Sequence, residues 1–175
     1  MNLTKKYASI RWTAAVSSIL DECKLAGRPA LIVRSMDNLN REFQIWRYLK
    51  TKYKGIYVRM GPACSMAHLF DEILSQLRYE TTRASYGYND KTIRLIISIL
   101  GDRTQPTLIV IDNCNKLLLS SISYLIGLMI HLGAKVQFLF LTTKVKLKVW
   151  IEHFNNTPVG ALFFKVVQKG YQITM

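Results

Sequence analysis

A carboxylate closes an unbroken apolar run in Thr107-Leu108-Ile109-Val110-Ile111-Asp112-Asn113. A short run of β-branched and aliphatic residues behind a proline, here Pro106, reads as a strand buried on both faces of a parallel sheet. An acid at the C-terminal end of such a strand lies where open α/β sheets place their ligands. There it can hold Mg²⁺, or it can simply cap the turn that follows, since aspartate is a common N-cap. Other reactive side chains form no constellation. His68, His131 and His153 lie far apart, and nothing in the sequence pairs Cys64 with a base. Cys114, beside Asp112 and Asn113, reads as a small residue chosen for packing. Cys23, Cys64 and Cys114 include no C-x-x-C pair and no His/Cys pair at zinc-ligand spacing. They are expected to be reduced thiols of a cytoplasmic protein, and no metal site is expected.

Charge is the second chemical signal. The 24 Lys and Arg exceed the 11 Asp and Glu by +13, with a pI near 9.8. Residues 1–60 hold 12 basic against 4 acidic side chains and residues 113–175 hold 7 against 1, while the middle is close to neutral. Such an excess suits a polyanion partner, nucleic acid first and an acidic membrane second. The alternative is a merely soluble basic surface. Arg41, Arg47, Lys50, Lys52 and Lys54 fall on or just after one helical stretch, and Lys144, Lys146 and Lys148 follow an apolar run. In a parallel sheet, residues 41–42 and 144–148 would share the C-terminal edge and form one positive rim with Arg34. Contacts from such a rim to phosphates give affinity without sequence information. Trp46, Tyr48 and Tyr53 could stack on single strands, although Trp46 suits core packing better. For the lysines the plain alternative is a solvated helix face.

The elements that must position these residues alternate. Helices are expected over 4–26, 41–52, 65–77, 89–100, 116–132 and 145–155, with Ser65 as one N-cap and Gly101 as one stop. A polar, aromatic loop is expected over 79–88. Strands are expected at 29–33, 55–58, 107–111 and 136–141, and a last one at Ala161-Leu162-Phe163-Phe164-Lys165-Val166-Val167. Strands separated by helices specify an α/β fold, a five-stranded parallel sheet sandwiched by helices. At 175 residues the chain suits a single domain spanning 1–175. The opening MNLTKKYASI is not a signal peptide, and the longest apolar run, Leu117 to Leu132, carries Ser120, Ser121, Ser123, Gly127 and His131. A membrane partner is therefore not expected.

Taken in order, a strand, a loop-to-helix turn, a strand, helices, a strand ending in Asp112, a helix, and a strand ending in Thr142-Thr143 resemble the P-loop NTPases, and within them the AAA+ ATPases. Gly55-Ile56-Tyr57-Val58-Arg59 and Leu108-Ile109-Val110-Ile111-Asp112-Asn113-Cys114-Asn115-Lys116-Leu117 are similar to the small transposition helper ATPases of the MuB and TnsC type. The resemblance covers about residues 7–170. It implies a strand order of 5-1-4-3-2, self-assembly into an oligomer, a transposase or an active AAA+ ATPase as partner, and a mobile-element setting. Asp112 matches the Walker B carboxylate that holds Mg²⁺, and Thr142 or Thr143 matches the polar sensor.

The departures from that family are chemical. A Walker A loop reads G-x-x-x-x-G-K-[ST], but the slot here reads Ser35-Met36-Asp37-Asn38-Leu39-Asn40-Arg41-Glu42. Ser35 and Asn40 stand for the two glycines, which removes the permissive backbone that lets amides cradle phosphates. Arg41 keeps a positive charge without the compact ammonium. Glu42 replaces the hydroxyl that ligates Mg²⁺, and with Asp37 it would repel a triphosphate. Asn113 replaces the glutamate that activates water, and an amide is no general base at neutral pH. The chain ends near where the small helical lid would begin, so the lid and its arginine are expected to be missing. The expectation is a degenerate P-loop fold, a DNA-associated scaffold or adaptor with no catalytic residues and no cofactor, holding ATP and Mg²⁺ weakly if at all. If the resemblance fails, Ser35–Glu42 is an ordinary turn and cap. The rival functions are a nucleotide-binding ATPase with a divergent phosphate loop and a protein-interaction module that regulates an active relative.

Overall fold

A computed structural model of the chain describes residues 18, 20, 21, 30–34, 54–62, 65–79, 88–143, 148–150, 152, 157–159, 161, 162 and 172–174. The elements are β1 (Ala30–Arg34), β2 (Lys54–Arg59), α1 (Met66–Gln76), α2 (Tyr88–Gly101), β3 (Thr107–Asp112), α3 (Leu119–Leu132), β4 (Val136–Thr143) and β5 (Gln172–Thr174). Short 3₁₀ turns occupy Cys114–Lys116 and Gly133–Lys135. The five strands form one sheet in the order β2-β3-β4-β1-β5, and every neighbouring pair is parallel. Read from the β5 edge, this is the order 5-1-4-3-2.

The apolar run of β3 dictates its place. All six of its residues are buried, which requires a strand on each side and a covering layer on each face. Ile109 and Ile111 share a face with Ile56 and Val58 of β2 and with Phe138 and Phe140 of β4. That face packs with Leu69, Phe70, Ile73 and Leu74 of α1, Ile96 and Leu100 of α2, and Ile122 and Leu125 of α3 in one cluster. Leu108, Val110, Leu139 and Leu141 alternate onto the opposite face and are also buried. Each such side chain, fully removed from water, contributes about 1.5–3 kcal/mol.

Local signals set the helix ends. Ser65 caps α1, its hydroxyl accepting from the His68 amide at 3.3 Å. Tyr124 of α3 donates its hydroxyl to Asp90 of α2 at 3.3 Å and meets Phe70 of α1 edge-on, with ring centroids 6.1 Å apart. Partial burial, and then the Asp90 carboxylate, push the Tyr124 phenol above its ordinary pKa. On the outer edge of the sheet, Gln76 closes part of β2. Its Oε1 accepts from the Tyr57 amide at 2.9 Å and its Nε2 donates to the Tyr57 carbonyl at 2.6 Å. The side-chain amide thus stands in for the strand that β2 lacks on that side.

The elements differ from the sequence reading in three places. Ala161 and Leu162 are helical, and the fifth strand is Gln172–Thr174; the rest of the expected strand, 163–167, lies outside the described residues. An apolar run of this length does not by itself distinguish a helix from a strand. The helix expected from 116 begins at Leu119, because a 3₁₀ turn and an extended Leu117 come first. The helix expected from 89 begins at Tyr88, so Asp90 lies in its first turn. Of the helix expected over 145–155, residues 148–150 and 152 are described and helical, and Trp150 is buried. Of the helix expected over 4–26, residues 18, 20 and 21 are described, also helical. The expected helix over 41–52, with Trp46 and Tyr48, lies outside the described residues, as do Tyr53, Cys23, Cys64 and His153.

Candidate site at the C-terminal edge of the sheet

β3 ends on Asp112, which is fully buried, and its backbone carbonyl accepts from the Met60 amide at 3.0 Å, extending the β2–β3 pairing by one residue. Asn113 then turns the chain in the left-handed region, at φ 52° and ψ 42°, a conformation that asparagine tolerates better than most residues. Its amide donates to Asp112 Oδ1 at 2.7 Å, and its side chain donates to the Met60 carbonyl at 3.4 Å. Cys114 follows, fully buried, as the packing residue its position suggested. Asn115 Oδ1 accepts from the Thr142 hydroxyl at 3.1 Å. The turn after β3 is therefore tied to β2 on one side and β4 on the other.

A buried carboxylate without partners would cost several kcal/mol or neutralise itself. Here β2 supplies them. The Tyr57 hydroxyl donates to Asp112 Oδ2 at 2.7 Å, and Arg59 Nε lies 3.9 Å from the same oxygen. Tyr57 and Arg59 are two apart on one strand, so they share a face, and in register they pair with Val110 and Asp112. The Arg59 side chain remains 51% exposed, so its charge also looks outward.

Of the residues singled out by sequence, β1 ends on Arg34, paired with Thr143, while Val33 pairs with Thr142 and Asp112 with Leu141. Arg34, Asp112 and Thr142 thus belong to one edge of the sheet. Lys148 is helical and exposed, with Nζ 3.9 Å from Glu152 Oε1. Lys54 opens β2 opposite Thr107, at the other end of the sheet. The two ends of the strand are about 17 Å apart at ~3.3 Å per residue, so Lys54 stands apart from the edge that holds Arg34. Ser35, Asn40, Arg41, Glu42, Arg47, Lys50, Lys52, Lys144 and Lys146 lie outside the described residues. Sequence reading missed Tyr57 and Arg59. Their signal was a period of two ending level with an acid on the neighbouring strand, visible only once β2 is set in register beside β3.

The structure of Cdc6p from Pyrobaculum aerophilum is similar over 84% of this chain, with a TM-score of 0.59 and 17% identity. The likeness supports the AAA+ P-loop fold expected from the sequence. A Drosophila ORC structure bound to DNA matches 97% of this chain and 89% of its own, with a TM-score of 0.63 and 11% identity. A DNA replication initiation factor matches 93% of this chain with a TM-score of 0.54 and 12% identity. The chain spans 38% of the Pyrobaculum protein and 45% of the initiation factor. At these identities the likeness is one of fold. No protein-family model and no curated protein matches the sequence. In this sheet the acid of β3 stands one strand from Thr142 and two from the end of β1. Among the described residues no helix is long and apolar enough to cross a membrane, and no cluster of three His, Cys, Asp or Glu is placed to hold a metal.

Proposed function

We propose that the chain is a non-hydrolysing scaffold or adaptor on DNA, an AAA+ fold kept for its shape and surface rather than for ATP turnover. The observation that carries this reading is the engagement of Asp112. One carboxylate oxygen accepts the Tyr57 phenol and faces Arg59, and the other accepts the Asn113 amide. The carboxylate's charge is met from within the protein, and a metal ion would have to displace those donors. Asn113 stands in the place of a water-activating glutamate and is committed to Met60. The Thr142 hydroxyl is committed to Asn115. The loop Ser35–Glu42 has no glycine and carries two acids. These residues do not fit Mg·ATP, and no catalytic step is assigned to them.

DNA is the polyanion this reading assigns to the +13 charge. Arg34, Arg41, Lys144 and Lys146 would meet phosphates at the C-terminal edge, with Arg47, Lys50 and Lys52 following Arg41. The fold likeness to an ORC structure bound to DNA supports that choice. Self-assembly, a transposase or an active AAA+ ATPase as partner, a mobile-element process and a cytoplasmic setting rest on the MuB and TnsC resemblance and the sequence.

The test is a titration of labelled duplex and labelled single strand, followed by anisotropy at several salt concentrations. Binding that falls steeply with salt is expected, because each neutralised phosphate adds about 0.9 to the slope of log K against log salt. Replacing Lys144, Lys146 and Lys148 by Glu is expected to weaken it strongly. Unchanged affinity would remove that edge from the account, and no binding at low salt would remove DNA.

A further inference from the structure

The sheet has a second charged end. Lys54, Thr107 and Val136 open β2, β3 and β4 and are paired in register. Arg103 reaches forward from the end of α2, its Nη1 donating to Thr107 Oγ1 at 3.3 Å. Lys135, the residue before Val136, donates from Nζ to the Arg103 carbonyl at 3.2 Å. Arg103 and Lys135 are thereby joined beside the first residues of β3 and β4, and Lys54 opens the adjacent strand in register; Lys50 and Lys52 precede Lys54 in the sequence.

Among the described residues no carboxylate lies within ion-pairing distance of Arg103 or Lys135; the neighbouring Asp102 is exposed and pairs with neither. Like charges held together without a counter-charge raise the energy of the free protein, and an arriving polyanion relieves it. Donors remain for such a partner. A guanidinium has five N–H groups and an ammonium three, and the bonds to Thr107 and to the Arg103 carbonyl engage one from each. Lys135 is exposed and Arg103 partly so. This edge lies about 17 Å from Asp112 at ~3.3 Å per residue. That exceeds the Debye length of roughly 8 Å at physiological salt, so the two ends act as separate patches.

We propose that this N-terminal edge, centred on Lys54, Arg103 and Lys135, is a second phosphate-binding surface for nucleic acid. The inference rests on the DNA reading above and extends it to the opposite end of the sheet.

The experiment compares the wild-type chain, Lys54→Ala/Lys135→Ala, Lys54→Arg/Lys135→Arg and Lys144→Ala/Lys146→Ala for binding to one labelled duplex across a salt series. The Lys54→Ala/Lys135→Ala pair is expected to flatten the slope of log K against log salt by about 1.8, two phosphates at ~0.9 each. The arginine pair is expected to keep the wild-type slope. If the alanine pair matches wild type while Lys144→Ala/Lys146→Ala weakens binding, DNA association stands and this second surface falls. If the arginine pair loses binding as fully as the alanine pair, the loss follows from structure rather than charge, and the surface also falls. A wild-type chain that does not bind duplex at low salt overturns both readings.

Discussion

The hydroxyl of Tyr57 lies 2.7 Å from Oδ2 of Asp112, across the β2–β3 ladder and 55 residues away in sequence. A phenol on the neighbouring strand thus occupies the acid that this fold presents at its ligand edge. Tyr57→Phe removes one donor from a fully buried carboxylate and is expected to cost about 1.5–3 kcal/mol of stability, as for hydrogen bonds to charged groups. The chemical denaturation midpoint measures it. A double-mutant cycle with Asp112→Asn should show coupling of at least ~0.5 kcal/mol, the lower bound for residues in contact. Strict additivity would mean that the two side chains do not act on each other.

Asn113 carries the left-handed turn that leads the chain out of β3. Asn113→Ala is expected to destabilise by about 1–2 kcal/mol, from backbone strain at positive φ, together with loss of the bond to the Met60 carbonyl. Asn113→Gly relieves the strain and should cost less. The ranking Asn, then Gly, then Ala in thermal midpoint checks this. An alanine variant as stable as wild type would show that the turn relaxes. Asn113→Glu, which places a glutamate after Asp112, is expected on the proposed scaffold reading to yield no phosphate release.

Gln76 covers the outward backbone groups of Tyr57 on the edge strand. Gln76→Ala should cost on the order of 1 kcal/mol, because both bonds are near solvent and water replaces them in part. It also leaves an open strand edge, a template for pairing with another chain. Light scattering as a function of concentration should show more self-association in the variant. An unchanged profile would mean that the rest of β2 is protected by other means.

Much of the fold was legible because burial on both faces leaves a plain mark. Thr107–Ile111, Val136–Leu141 and Gly55–Val58 are largely apolar runs, and each is a strand with its ends moved by no more than two residues. The order of the strands came from the family resemblance, and the pairings bear out 1-4-3-2, while the strand beside β1 is Gln172–Thr174 and not the expected segment. Ala161 and Leu162 misled, since a short apolar run does not by itself distinguish a helix from a strand, and both residues are exposed. Gln172–Thr174 is a three-residue edge strand, too short to show any period. In the site, Asp112 was legible as a strand-end acid and Thr142 as its neighbour on β4. Tyr57 and Arg59 were not, because their role depends on registration between two strands. Lys54 was grouped by sequence with Arg41, Arg47, Lys50 and Lys52 on or just after one helix, and only strand pairing shows that it opens β2, at the end of the sheet away from Arg34.

Phosphate release from Mg·ATP, measured alone and with duplex DNA, tests the central claim most directly. Release at background in both is the expected result, with DNA bound in the same sample. DNA-stimulated release that disappears in Asp112→Ala would contradict the account, because Asp112 would then be serving a metal and a nucleotide rather than Tyr57 and Arg59.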